Sequence, residues 1–219
     1  MARATSAKHL VIEGGTVIDG TGNPALEDAV IVVEGERIKS MGKKGELPIP
    51  KGSRVINAKG KTILPGFIDG HGHYEDFAGE IYLHLGVTTC PDIQTTRDDY
   101  WSMAQRDGIR LGKICGPRIW SAGKAVGQTS DTSAMGGGRR GSFPIKSPEE
   151  GREMVRWKKK MGLDQIKIGE SLRGETLKAV VDEAHSLGFA AIAHSMDVFA
   201  SAEAGVNAVE HHWSIGLTS

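Results

Sequence analysis

Apolar and polar residues alternate in two different rhythms along this chain, and the rhythm changes at Pro65. Over residues 8–62 the apolar runs are short and separated by glycine turns. "HLVIEGGTVID" predicts a pair of strands split at Gly14-Gly15, and "GTGNP" predicts a turn. "DAVIVVEGERIKSMG" predicts two strands across Glu34-Gly35, because the glycine accepts a positive φ. "SRVINAKGKTIL" repeats the pattern. No helical period runs through this stretch. Residues 1–62 therefore read as a small sheet, the N-terminal part of a β-sandwich-like domain.

Beyond Pro65, short apolar strands alternate with stretches of helical period. "PGFIDGH" leads to a helix near Asp76–Leu85, and "GVTTCPD" to a helix near Arg97–Arg110. "PRIWSAG" is a third strand, followed by a glycine-rich polar loop over Lys124–Gly141 that would lie over the strand ends. "SPEE" is a helix start: Ser147 caps, Pro148 takes the first helical position and Glu150 completes a capping box. Met154, Trp157 and Met161 predict its buried face, and Gly162 its end. "DQIKIGE" is the fourth strand. Leu177, Val180, Val181, Ala184 and Leu187 form the stripe of the next helix. "FAAIAH", a short helix to Gly205 and "VNAVEHH" complete the series. This alternation predicts an α/β fold of parallel βα units. About six units over residues 63–219 read as a partial TIM (β/α)8 barrel whose C-terminal units are absent.

Composition narrows the function classes. Hydrophobic residues are 39% and charged residues 25% of 219, enough for a sizeable core. Lys+Arg and Asp+Glu are 27 each, so no basic field draws nucleic acid or an anionic membrane. The cluster "RWKKK" reads as the solvated face and C-terminal end of a helix. Two cysteines, Cys90 and Cys115, are too few for a disulfide framework and read as small buried hydrophobes. "MARATSAKHL" has no apolar core, and no run approaches the ~18 apolar residues of a membrane span. A cytoplasmic protein is the default expectation. "AMGGGRRG" lacks the spacing of a phosphate loop.

The polar residues at the predicted strand ends carry the chemistry. Strand one ends in His71 and His73, strand four carries Lys167, strand five ends at His194, and strand six at His211 and His212. Residues i and i+2 of a strand share a face, so His71 and His73 could grip one cation. Neutral imidazoles suit zinc and similar borderline metals. In "QIKI", Gln165 and Lys167 share the face opposite Ile166 and Ile168. A lysine buried there loses its proton readily, and a neutral amine can add CO2 to become an anionic carbamate. Asp69 reads as a strand-end or turn carboxylate. Glu210 falls on the other side of its strand from His211, as either a support for the site or a stabiliser of the sheet. His9 and His84 read as surface or helix residues, and His185 as a packed or solvated helix residue.

Taken together, "LPGFIDGHGH", "GLDQIKI", "AIAHS" and "AVEH" resemble the amidohydrolase superfamily, within its imidazolonepropionase-like and prolidase-like group. The resemblance extends to the N-terminal "GGTVIDGTG" and covers nearly the whole chain. It implies a metal-dependent hydrolase that cleaves C–N bonds of a small amide, cyclic amide or dipeptide by metal-activated water. It implies one or two divalent ions, zinc foremost: His71 and His73 on one, His194 and His211 on the second, and carboxylated Lys167 between them. His212 stands where the family has a small residue and is kept as a substitute for His211. The family also places an aspartate at the end of barrel strand eight, which binds metal and shuttles the proton. No residue here takes that place, so no catalytic residue is assigned. The alternative expectation is a truncated, catalytically incomplete fragment or a metal-binding non-enzyme. No nucleic-acid or membrane partner is expected, and a homo-oligomer is compatible with the sequence.

Overall fold

A computed structural model describes residues 9–95, 97–128, 142–195 and 197–211. The chain divides into two compact units, Met1–Pro65 and Gly66–Ser219.

The first unit holds β1 (His9–Val17), β2 (Leu26–Glu34), β3 (Arg37–Lys43), β4 (Arg54–Asn57) and β5 (Thr62–Ile63). They form one mixed sheet in the order β3-β2-β1-β4, with β5 also on β1. The β1–β2 and β2–β3 pairs are antiparallel, and β4 and β5 run parallel to β1. Gly14-Gly15 does not split β1 in two. Gly14 takes φ 82° and the register slips on both sides of Gly15, so one bulged strand passes through. The centre is β2, where Ala29, Val30, Ile31 and Val32 are all buried. Val30 and Val32 pack with Val11, while Ala29 and Ile31 pack with Val17, so both faces of the strand are covered.

The second unit opens with β6 (Phe67–Ile68), a 3₁₀ turn (Asp76–Ala78), α1 (Gly79–His84), β7 (Val87–Asp92), α2 (Asp99–Arg110) and β8 (Arg118–Ser121). It continues with β9 (Val126–Gly127), β10 (Phe143–Pro144), α3 (Pro148–Met161), β11 (Gln165–Ile168), α4 (Gly174–Ser186), β12 (Ala190–Ala193), α5 (Val198–Ala204) and β13 (Ala208–Val209). All strand pairs are parallel, in sheets ordered β6-β7-β8 and β10-β9-β11-β12-β13. Asp164 N donates to Ser121 O at 2.9 Å, which ties the end of β8 to the start of β11. The unit is a mixed α/β fold built on parallel sheets. Of the loop expected over Lys124–Gly141, Lys124–Gln128 contains β9, and 129–141 lie outside the described residues.

Helix ends follow local chemistry. Asp98 accepts from Trp101 N at 2.8 Å to cap α2, and Ser147 Oγ accepts from Glu150 N at 3.2 Å to cap α3. The Glu150 carboxylate reaches back to Lys146 N at 2.8 Å, one residue beyond the capping-box partner. Gly162 ends α3 at φ 93°. Leu177, Val180, Val181 and Ala184 of α4 join Ile166, Ile168, Ala191 and Ala193 in the main core, with Leu187 at its edge. Each such large side chain contributes about 1.5–3 kcal/mol by leaving water.

Three sequence expectations change here. The inner face of α3 is Gly151, Val155 and Lys158, whereas Met154 is half-buried and Trp157 is 41% exposed. The stripe sits one residue further round because Gly151 lets α3 approach Val180, and Lys158 has a buried partner in Asp99. The charge cluster at 156–160 is therefore not wholly solvated. Cys90 is buried as expected, but Cys115 is exposed. Among the described residues, no helix is long and apolar enough to cross a membrane.

Candidate functional site

β6 is two residues long, and the histidines lie beyond it. Asp69 N extends the ladder with one bond to Thr89 O at 2.9 Å. Its own Oδ1 then accepts from His71 N at 3.0 Å, a side-chain turn that ends the strand. His71 and His73 thus stand on irregular backbone, and strand alternation is not what brings them together. Their rings still meet nearly edge to face, with centroids 5.2 Å apart.

The end of β7 holds this segment. Ile93 N donates to Gly72 O at 2.9 Å, and Tyr74 N donates to Asp92 Oδ1 at 3.3 Å. His73 Nδ1 lies 2.9 Å from Gln94 O, which fixes the Nδ1–H tautomer, because a carbonyl only accepts. Gly72 has no room for a side chain: a Cβ would stand 2.6 Å from Cys90 Sγ and 2.9 Å from Pro91 O.

The other groups come from β11, β12 and β13. Lys167 is 1% exposed, and its Nζ has no hydrogen-bond partner among the described residues. Burial pushes the amine down to about 8, against the pull of Glu210 and Glu170. His194 follows β12 and is tied by its N–H to Ile168 O at 2.8 Å. Burial, with Lys167 and the neighbouring histidines, pushes its imidazole down to about 4, so it is neutral at physiological pH. Its Nε2 lies 3.1 Å from Glu170 Oε1. His211 takes φ 69°, and its ring lies 4.5 Å from that of His71 and 4.6 Å from that of His194.

His71, His73, His194 and His211 are therefore brought together in one ring cluster, with Lys167 close enough to act on His194 electrostatically. His212 lies outside the described residues. Of the two carboxylates beside the cluster, Glu210 takes the first of the two roles left open for it in the sequence, and Glu170 was missed. Glu210 contacts His71 Nδ1, because β13 ends at Val209 and the turn at His211 breaks the strand's alternation. Glu170 faces His194 from the loop after β11. Among the described residues, no group of three or more His, Cys, Asp or Glu side chains is disposed to hold a metal ion as it stands. Glu210 lies on Nδ1 of His71 and Glu170 on Nε2 of His194, so a shared cation would take the other ring nitrogen of each or share these. The donor types nevertheless suit a zinc-like cation: imidazoles, one of them held neutral, and a buried amine whose Nζ is unsatisfied.

No family model matches the chain. It is 36% identical over 122 residues to imidazolonepropionase of Paenarthrobacter aurescens, covering 50% of this chain and 29% of the relative. It is 25% identical to ochratoxinase of Aspergillus niger over 96% of this chain and 56% of the relative. A solved structure described as a prolidase from Bifidobacterium longum superposes with TM-score 0.80 at 27% identity, over 97% of this chain and 57% of that one. The chain thus spans little more than half the length of the ochratoxinase and prolidase chains and under a third of the imidazolonepropionase.

Proposed function

Taking as premise that these relatives point to the amidohydrolase superfamily as the family of this chain, we propose that it is the metal-binding part of a C–N hydrolase. The substrate class is a small amide, cyclic amide or dipeptide. We also propose that the two parallel sheets are arcs of one (β/α) barrel, of which residues 63–219 supply about six units, with 1–62 contributing to a small β-domain.

The observation that carries the reading is the unsatisfied, fully buried Lys167 amine beside a cluster of four histidines. Stability alone does not favour such an amine, since an unpaired buried polar group is costly. His71, His73, His194 and His211 would hold one or two divalent ions, zinc foremost. When bound, such an ion lowers the pKa of a coordinated water and polarises a carbonyl. The chain's own residues prepare this. The Gln94 carbonyl orients His73, Glu210 orients His71, and burial keeps His194 unprotonated. Neutral Lys167 Nζ attacks CO2, a C–N bond forms and one proton leaves to solvent. The product is a carbamate anion, which gives the site oxygen donors.

The test is metal content after purification with zinc or cobalt. One to two equivalents are expected, lost in a His71→Ala/His73→Ala variant. Unchanged content in that variant would sink the site. With 13C-labelled bicarbonate, a carbamate signal is expected and should vanish in Lys167→Ala.

A further inference from the structure

The reading of His73 as a ligand leaves open what holds it, and this inference rests on that reading. Asp92, the last residue of β7, has no exposed surface. Its Oδ1 accepts from Tyr74 N at 3.3 Å, and its Oδ2 accepts from Ser102 Oγ on α2. Ser102 Oγ in turn lies 2.6 Å from Ser121 Oγ at the end of β8. The partners are thus an amide and hydroxyls. Burying a carboxylate with neutral donors costs more than burying an amide or an apolar group there. Stability alone gives no reason for an aspartate at this position.

Its placement gives one. Gly72 O is held by Ile93 N and Tyr74 N by Asp92, so the backbone is fixed on both sides of His73. Only the two side-chain torsions of His73 remain, and Gln94 O fixes the ring. Three consecutive residues of one segment therefore clamp three of the other. Asp92 does so through its side chain, and that side chain is itself oriented from α2 and β8. We propose that Asp92 is a positioning residue for His73: through Tyr74 N it sets where the imidazole stands and which nitrogen it turns outward.

The test compares Asp92→Asn and Asp92→Ala in the full chain. Asparagine can accept from Tyr74 N and donate to Ser102 Oγ, and alanine can do neither. Long-range 1H–15N NMR of the metal-free chain reads the His73 ring directly. The wild type and Asp92→Asn should show one Nδ1–H tautomer, and Asp92→Ala a mixture. Cobalt affinity, measured where each variant is folded, should fall about ten-fold in Asp92→Ala and recover in Asp92→Asn. A lowered melting temperature with an unchanged His73 ring in Asp92→Ala would overturn the proposal. If Asp92→Ala does not fold, Ser102→Ala frees Oδ2 and should shift the ring signal in the same direction; an unchanged ring would again overturn it. If the wild type binds no cobalt, the metal-site reading fails and the ring signal alone decides this one.

Discussion

Lys158 Nζ lies 2.9 Å from Asp99 Oδ2 in a salt bridge whose side chains are 0% and 3% exposed. Ala122 O takes a second bond from Nζ at 3.3 Å, and Lys124 N donates to Asp99 Oδ1 at 2.6 Å. Burial lowers the lysine's hold on its proton, and Asp99 opposes that loss. The pair joins α3 to the first turn of α2. Lys158→Met should leave Asp99 buried and uncompensated, at a cost of about 3–5 kcal/mol by urea unfolding. The double variant Lys158→Met/Asp99→Leu should cost clearly less than the two single changes summed; strict additivity would show that the groups are not coupled.

Asp92 gives the chain an unusual pH dependence. Burial pushes its carboxyl from 3.8 up to about 6 in the folded chain. The folded state therefore holds this proton more tightly than the unfolded state. Its contribution is complete below about pH 4 and is lost as pH rises through about 6. The loss is of the order of 3 kcal/mol. Asp92→Asn, which never ionises, should remove that slope. Urea unfolding at several pH values across the window reads the difference, and parallel wild-type and variant profiles would refute it.

Gly151→Ala should destabilise, against the usual rule for helices. Alanine favours a helix by about 1 kcal/mol over glycine. Here its Cβ would stand 2.7 Å from Val180 Cγ2, and overpacking costs about 1–3 kcal/mol. Pairing it with Val180→Ala should recover part of the loss in the same unfolding assay.

Gly72→Ala should abolish cobalt binding while the helical circular dichroism persists. The new Cβ would press on Cys90 Sγ and on the fixed Pro91 carbonyl, driving His71 and His73 apart. Cys90→Ala relieves only the first contact, so the double variant should bind no better. Full binding by Gly72→Ala would show that the segment yields freely.

The sequence makes legible whatever its periodicity encodes. The α4 stripe is readable because burial there repeats at the helical period, whereas all four residues of β11 are buried and only the alternation of residue type, Gln165 and Lys167 against Ile166 and Ile168, separates its faces. The histidine cluster was readable as residues but not as geometry. Asp69 ends β6 early, and His211 turns with positive φ, so alternation fails at both places. Lys158 was hidden because a lysine among lysines reads as surface; its partner is 59 positions away in the chain. Asp92 was hidden inside an ordinary-looking strand, since nothing local distinguishes a strand-end carboxylate that serves another loop.

The clamp between Gly72–Tyr74 and Asp92–Gln94 also sets a clock. The amide hydrogens of Tyr74 and Ile93 are both committed to it, one from each side. Neither can reach water without parting the same two segments, so both should exchange with solvent through a single opening event.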